Sequence, residues 1–224
     1  MPSTICPEWS KDESGDLLHH VVRGMASVKK FIYKNSRRHI LNHGDLKEWH
    51  QTIFRGVVPK DYYAGNFRSP DPRRPCLAQD VEVGPASDGT QLLGAPFSQV
   101  PSLMKAFSRT LSSKTLQTDE YIKGVPASAE HARAAIMLAA FCAGRIVEIH
   151  PFINGNGRIS RLAANFFLHR YGYPFLLGPF RPTTPVSPSY ESAAEACMRG
   201  NYIPMYQFLL ECLVSPHFSP EATG

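Results

Sequence analysis

Apolar positions recur at helical spacing along most of the chain. After Asp16, a candidate cap, Leu17, Leu18, Val21, Val22, Met25, Val28, Phe31 and Ile32 mark one face of a first helix. Gly44-Asp45 restarts a shorter helix through Leu46, Trp49, Ile53 and Phe54, with Asp45 as its expected cap. Leu103, Met104, Phe107 and Leu111 predict a third between Pro101 and Leu116, with a polar stretch behind it. A long alanine-rich helix follows, opened by Ser128 or Pro126 and carried by Ala132, Ala135, Ile136, Ala139, Ala140, Ala143, Ile146 and Val147. Small residues on several of its faces predict a central helix with close neighbours. Leu162, Ala163, Phe166, Phe167 and Tyr171 form its partner, which Gly172 ends. A proline-rich connection from Pro179 to Pro188 then leads to two closing helices, Tyr190 to Arg199 and Tyr202 to Val214.

The helical period disappears between Val57 and Pro101. There Pro and Gly become frequent, and Asp80-Val-Glu-Val83 and Thr90-Gln-Leu-Leu93 flank a turn at Asp88-Gly89, the pattern of a β-hairpin spanning about 78–98. The expected fold is therefore all-α, a bundle of seven or eight helices with one small hairpin. Residues 1–13 read as an irregular leader, 14–214 as a single domain and 215–224 as a flexible tail.

With 224 residues and 43% hydrophobic content the chain can bury a proper core. It has no run of eighteen apolar residues and no signal-peptide layout at Met1-Pro-Ser-Thr-Ile, so a cytoplasmic protein without membrane contact is expected. Five scattered cysteines, Cys6, Cys76, Cys142, Cys197 and Cys212, predict reduced thiols, with Cys142 and Cys197 in the core. The net charge of +5 comes from short clusters such as Lys29-Lys30, Arg37-Arg38 and Arg73-Arg74, which suit a solvated surface better than a nucleic-acid interface. His39, His43 and His50 straddle a helix break and lack a carboxylate at ligand spacing, so no metal site is expected there.

The densest chemistry lies in His150-Pro-Phe-Ile-Asn-Gly-Asn-Gly-Arg-Ile-Ser-Arg161. Pro151 disfavours a helical His150, which places the imidazole at the end of the alanine-rich helix. The negative end of the helix dipole there suits a base that has to hold a proton. Gly155 and Gly157 let backbone N–H groups approach a ligand, and the helix resuming near Arg158 offers its first donors to an anion. Arg158 and Arg161, three residues apart, share a face at a terminus where the dipole disfavours cations. An anion would relieve both penalties, so the loop reads as a phosphate nest.

This stretch resembles the signature loop of Fic domains, His-Pro-Phe-x-(Asp/Glu)-Gly-Asn-Gly-Arg-x-x-Arg, at every fixed position but the acidic one. Tyr63-Ala-Gly-Asn-Phe-Arg-Ser69 is similar to the element that precedes the family's hairpin flap, and Gly172-Tyr-Pro174 follows the motif helix as is common there. The resemblance covers roughly residues 17 to 213. It implies a protein nucleotidyltransferase that moves AMP from ATP to a Ser, Thr or Tyr hydroxyl, with Mg²⁺ or Mn²⁺. By the same resemblance His150 is the general base, Asn156 holds the α-phosphate, Gly155 and Gly157 lend backbone donors, Arg158 and Arg161 grip the β- and γ-phosphates, and Phe152 anchors the loop. Tyr190, Asn201 and Tyr202 fall in the region that lines the adenine pocket, although core packing explains the aromatics equally well. The flap would dock the target protein as an added strand.

Asn154 is the departure, standing where the family places its metal-binding acid. An amide oxygen can ligate a hard cation but brings no charge. An active transferase tolerant of Asn, a weakened or differently specific one, a nucleotide-binding interaction module and a Doc-like phosphotransferase all remain open. The family's inhibitory pattern, Ser/Thr-x-x-x-Glu-Gly/Asn, has its nearest match in Thr4-Ile-Cys-Pro-Glu8, which Trp9 and Pro7 spoil. Restraint is then expected from a separate inhibitory protein, a homo-oligomer or Asn154 itself.

Overall fold

The computed structural model describes residues 5–9, 15–124, 128–182 and 187–215. Among these, seven α-helices follow in chain order: α1 (Asp16–Asn35), α2 (His43–Phe54), α3 (Val100–Lys123), α4 (Ala129–Ile149), α5 (Asn156–Arg170), α6 (Tyr190–Met198) and α7 (Ile203–Val214). Two strands, β1 (Glu82–Pro85) and β2 (Gln91–Leu93), pair antiparallel between α2 and α3. The all-α bundle with a small hairpin is therefore the observed architecture. Residues 216–224 of the expected tail, residues 1–4 and 10–13 of the expected leader, Pro126 and four residues of the proline-rich connection fall outside the described residues.

Helix α4 is the hub, packed against α3, α5, α6 and α7, while α1 lies on α2 and α5. Its small residues permit this crowding. At Gly144 a Cβ would stand 2.5 Å from the Tyr202 ring and 3.0 Å from Cys197 Sγ, so only glycine lets the segment after α6 approach so closely. The core is continuous, running from Ile32, Leu46 and Phe54 through Leu111, Ile136 and Ile146 to Phe166, Phe167 and Phe208.

Several boundaries differ from the sequence pattern for identifiable reasons. Helix α2 is capped by Asn42, whose side chain accepts the Gly44 N–H, while the expected cap, Asp45, reaches back to the Asn42 N–H as the other half of a capping box. Gly15 occupies the cap position of α1, so Asp16 is the first helical residue and makes no side-chain cap. Helix α3 continues past Leu116 to Lys123 because no breaker intervenes before Gly124. Ser128, as expected, caps α4 by accepting the His131 N–H.

The expectation of reduced thiols fails at two positions. Cys6 and Cys76 form a disulfide across a sequence separation of 70, while Cys142, Cys197 and Cys212 are buried thiols. The bridge fastens the segment 5–9 to the domain, where Trp9 is buried edge-on against Phe54 and His50 and stacks on Tyr63, whose hydroxyl donates to Pro7 O. Tertiary contact decides this pairing, and cysteine spacing carries no sign of it.

Candidate active site

His150 ends α4 with φ 51° and ψ 59°, the one non-glycine residue with positive φ among the described residues. A left-handed conformation costs a residue with a Cβ about 1–2 kcal/mol, so the surroundings must hold it. Arg68 supplies the restraint. Its buried guanidinium donates to His150 O at 2.8 Å, Ile149 O at 3.1 Å and Ala95 O at 2.7 Å, and its own N–H donates to Pro151 O at 2.8 Å. A cation on the last carbonyls of a helix also offsets the dipole there. Burial pushes the Arg68 pKa down to about 10, against the opposing pull of Asp80, so the group stays charged at neutral pH.

The imidazole of His150 is oriented from behind, because Nδ1 lies 2.9 Å from Val147 O. A carbonyl can only accept, so Nδ1 carries the hydrogen and Nε2 the lone pair. That is the tautomer a general base needs. The chain leaving β2 closes over this residue: a Cβ on Gly94 would lie 2.7 Å from His150 Cβ, and the Ala95 N–H donates to Ile149 O. The base of the hairpin is thus stitched to the end of α4. Its tip reaches α6, where Ser87 donates through N–H and Oγ to the Glu195 carboxylate and Arg199 pairs with Asp88 at 2.8 Å.

Beyond His150 the loop turns on Gly155, at φ 79°, into the N-terminus of α5. A Cβ there would meet Phe54 at 2.4 Å and His50 Nε2 at 3.2 Å. The N–H groups of Arg158 and Ile159 already bind Gly155 O, whereas those of Asn156 and Gly157 precede any helical acceptor. Asn156 is buried and its amide spans the loop, accepting the Phe152 N–H and donating to Phe152 O, both at 2.9 Å. Its side chain therefore braces the turn. Phe152 is fully buried.

Two arginines that share a sequence face do different things. Arg158 carries its guanidinium 5.9 Å from the Phe54 ring centroid. Arg161 is buried, donating to Gly178 O and Pro179 O and lying over the Tyr190 ring at 5.7 Å, although one of its nitrogens stays within 3.4 Å of where a Cβ on Gly157 would be. A phosphate contact from Arg161 falls to the Nη1 that faces Gly157, since Nε and Nη2 hold the two carbonyls. Of Tyr190, Asn201 and Tyr202, the last two share a surface. Tyr190 is buried against Phe208, whereas Asn201 and Tyr202 border a groove between α3, α4 and α7.

His50 is the functional residue that sequence spacing misses. Completely buried, it stacks on Phe152 with centroids 3.8 Å apart, donates from Nε2 to Asn154 O at 3.0 Å and accepts the Gly65 N–H at Nδ1. Burial drives its pKa down to about 3, so it is a neutral strut beneath the loop. Its place among Leu46, Trp49, Ile53 and Phe54 on the buried face of α2 is the one signal the sequence holds.

The donor set at position 154 does not suit a cation held by protein. Asn154 is neutral, and its Oδ1 accepts the Gly155 N–H at 2.6 Å, spending on the loop the oxygen a metal would use. Among the described residues no group of three His, Cys, Asp or Glu side chains gathers at ligand distance, here or around His39 and His43.

The chain is similar to known proteins over most of its length. The chain is 27% identical over 198 residues to the protein adenylyltransferase Fic of Drosophila erecta, and equally so to that of Drosophila melanogaster, covering 87% of this chain and 32% of each relative. It thus spans about a third of the length of the curated relatives it matches. A Fic domain-containing signalling protein from Bacteroides thetaiotaomicron superposes with a TM-score of 0.56 at 24% identity, over 91% of this chain and 71% of that one. A Fic family protein from Desulfovibrio desulfuricans gives 0.52 at 17%, over 90% and 57%. At these identities the two structures bear on the fold alone. The model of the Fic/DOC family matches residues 40–168, more than half of the sequence and the whole of the His150 loop, and the chain belongs to that family.

Proposed function

We propose that the protein transfers the AMP moiety of ATP to a hydroxyl side chain of a target protein. The observation that carries this reading is the His150 imidazole, held at the end of α4 by Val147 O and Arg68 beside the N-terminal turn of α5. In this reading Nε2 takes the proton of the attacking hydroxyl, the oxygen attacks the α-phosphorus in line, and pyrophosphate leaves. The N–H groups of Asn156 and Gly157 and the positive end of α5 receive the α-phosphate, with Arg158 on the outer phosphates. Arg161 joins through Nη1, which faces Gly157, while Nε and Nη2 stay on Gly178 O and Pro179 O.

The divalent ion implied by the family finds no carboxylate at position 154, and no step here runs through it. Phosphate charge is met by Arg158 and the helix terminus instead. The target segment pairs with an edge of the β1–β2 hairpin, whose base adjoins His150. No helix among the described residues is long and apolar enough to cross a membrane. The Cys6–Cys76 bond supports work in an oxidising compartment over the reducing cytosol that the sequence suggests.

Incubation with each of the four nucleoside triphosphates, followed by intact-mass measurement, tests the transfer, because a self-modified chain reports the group moved. A nucleoside monophosphate adduct absent from His150→Ala is expected. A bare phosphate adduct would replace the proposal with phosphotransfer. ATP binding without any adduct, on chain and added proteins alike, would leave a nucleotide-holding module.

A further inference from the structure

Residues of α3, α4 and α7 line a groove of about 840 Å³. Aromatic and apolar side chains form its surface, including Phe141 from α4, Tyr121 from α3 and Tyr202 at the head of α7. Three large apolar residues border it while largely open to water: Tyr121 is 51% exposed, Met137 54% and Ile203 65%. Scattered apolar residues on a surface need no explanation, but a concave cluster of them with a few polar groups is the usual composition of a ligand site. The volume falls within the roughly 300–1,000 Å³ of such sites.

The charge of the groove is one-sided. Lys114 and Arg133 stand on its two helical rims and no Asp or Glu is among the described residues that line it. The Lys114 ammonium lies 5.1 Å over the Phe141 ring, so a cation is already drawn towards the aromatic floor. The walls run from Lys114 to Tyr121 on α3 and from Arg133 to Phe141 on α4, about 11–12 Å at 1.5 Å per residue. That length admits one compact molecule and is short for a docked amphipathic helix of three or more turns.

This groove is separate from the phosphate loop. Along α4, Phe141 precedes Ile149, the last helical residue before His150, by eight residues, about 12 Å of rise, and none of residues 150–161 is among the described residues that line the groove. We infer that the groove is a second binding site, for an amphipathic organic anion whose apolar ring or chain lies against Phe141, Tyr121 and Tyr202 and whose acidic head is held by Lys114 and Arg133. The inference is independent of the proposed transfer reaction.

Fluorescence titration of the full chain with 8-anilinonaphthalene-1-sulfonate tests it, with the neutral N-phenyl-1-naphthylamine as counter-probe. Saturable one-to-one binding of the sulfonate is expected, at least tenfold tighter than the neutral probe. Lys114→Glu with Arg133→Glu, both at exposed positions, should weaken it at least tenfold, Ala134→Trp should fill the groove and abolish it, and His150→Ala should leave it unchanged. Circular dichroism confirms that each variant is folded. Dodecanoate displacing the probe names an acyl anion, and 1-naphthoate alone displacing it names an aromatic one. Failure of both to displace it, equal affinity for the neutral probe, indifference to the groove variants, or displacement by ATP that Arg158→Ala removes would overturn the inference.

Discussion

Replacing His50 with Gln tests whether a neutral buried imidazole underlies the loop. In the folded chain this ring titrates at about 3, against about 6.5 when exposed. Its folded pKa is depressed, so its stabilising share is complete above pH 6.5 and is lost as pH falls towards 3, where only the unfolded chain gains the proton. At pH 4.5 the unfolded imidazole sits two pH units below its own pKa while the folded one stays neutral, and the difference is about 2.7 kcal/mol at 1.36 kcal/mol per unit. Gln can reproduce a donor to Asn154 O and an acceptor for Gly65 but cannot titrate. At pH 7.5 the variant should be less stable by about 1–3 kcal/mol, from the lost stack on Phe152 and imperfect hydrogen bonds. Between pH 7.5 and 4.5, however, the unaltered chain should lose about 2.7 kcal/mol more than the variant, because the carboxylates common to both cancel in the difference. Urea unfolding followed by tryptophan fluorescence reads this directly, since Trp9 touches His50 and Trp49 precedes it on α2. Equal losses in the two proteins would refute a neutral His50.

Gly155→Ala should lower stability by about 2–4 kcal/mol, since the new Cβ meets Phe54 at 2.4 Å and alanine resists φ 79°; a melting temperature within a degree of the original would contradict this. Asn154→Asp should create metal dependence, raising ATP affinity at least tenfold with Mg²⁺ over EDTA in calorimetry, where the natural residue gives less than a twofold effect. Cys76→Ser, or reduction, should cost about 4 kcal/mol in denaturant unfolding, as expected for a bridge closing a loop with a separation of 70 residues.

The helices were legible because their apolar positions keep one period over three or more turns, and the loop because its glycines, arginines and histidine fall together. What escaped is long-range. His50 looks like one of three loosely grouped histidines until the fold brings Asn154, 104 residues away, to its Nε2. Spacing alone puts Arg158 and Arg161 on one face, yet the carbonyls of Gly178 and Pro179 arrive from a later segment to claim the second. The motif equally fails to say that the Asn156 side chain closes its own turn through Phe152. Cys6 meets Cys76 where Trp9 packs edge-on against Phe54, an encounter no local pattern encodes.

The same sulfur bridge also changes how the molecule would bear tension. Residues 6 to 76 form a covalent ring that contains α1, α2, Trp9 and His50. A pull on the two chain ends passes from Cys6 straight to Cys76 and leaves the backbone within the ring unloaded. Stretched to its limit, the oxidised chain is shorter than the reduced one by about 240 Å, at roughly 3.4 Å for each of the 70 bypassed residues. The ring thus holds the strut beneath the loop in a slack segment while the signature loop, outside it, takes the load.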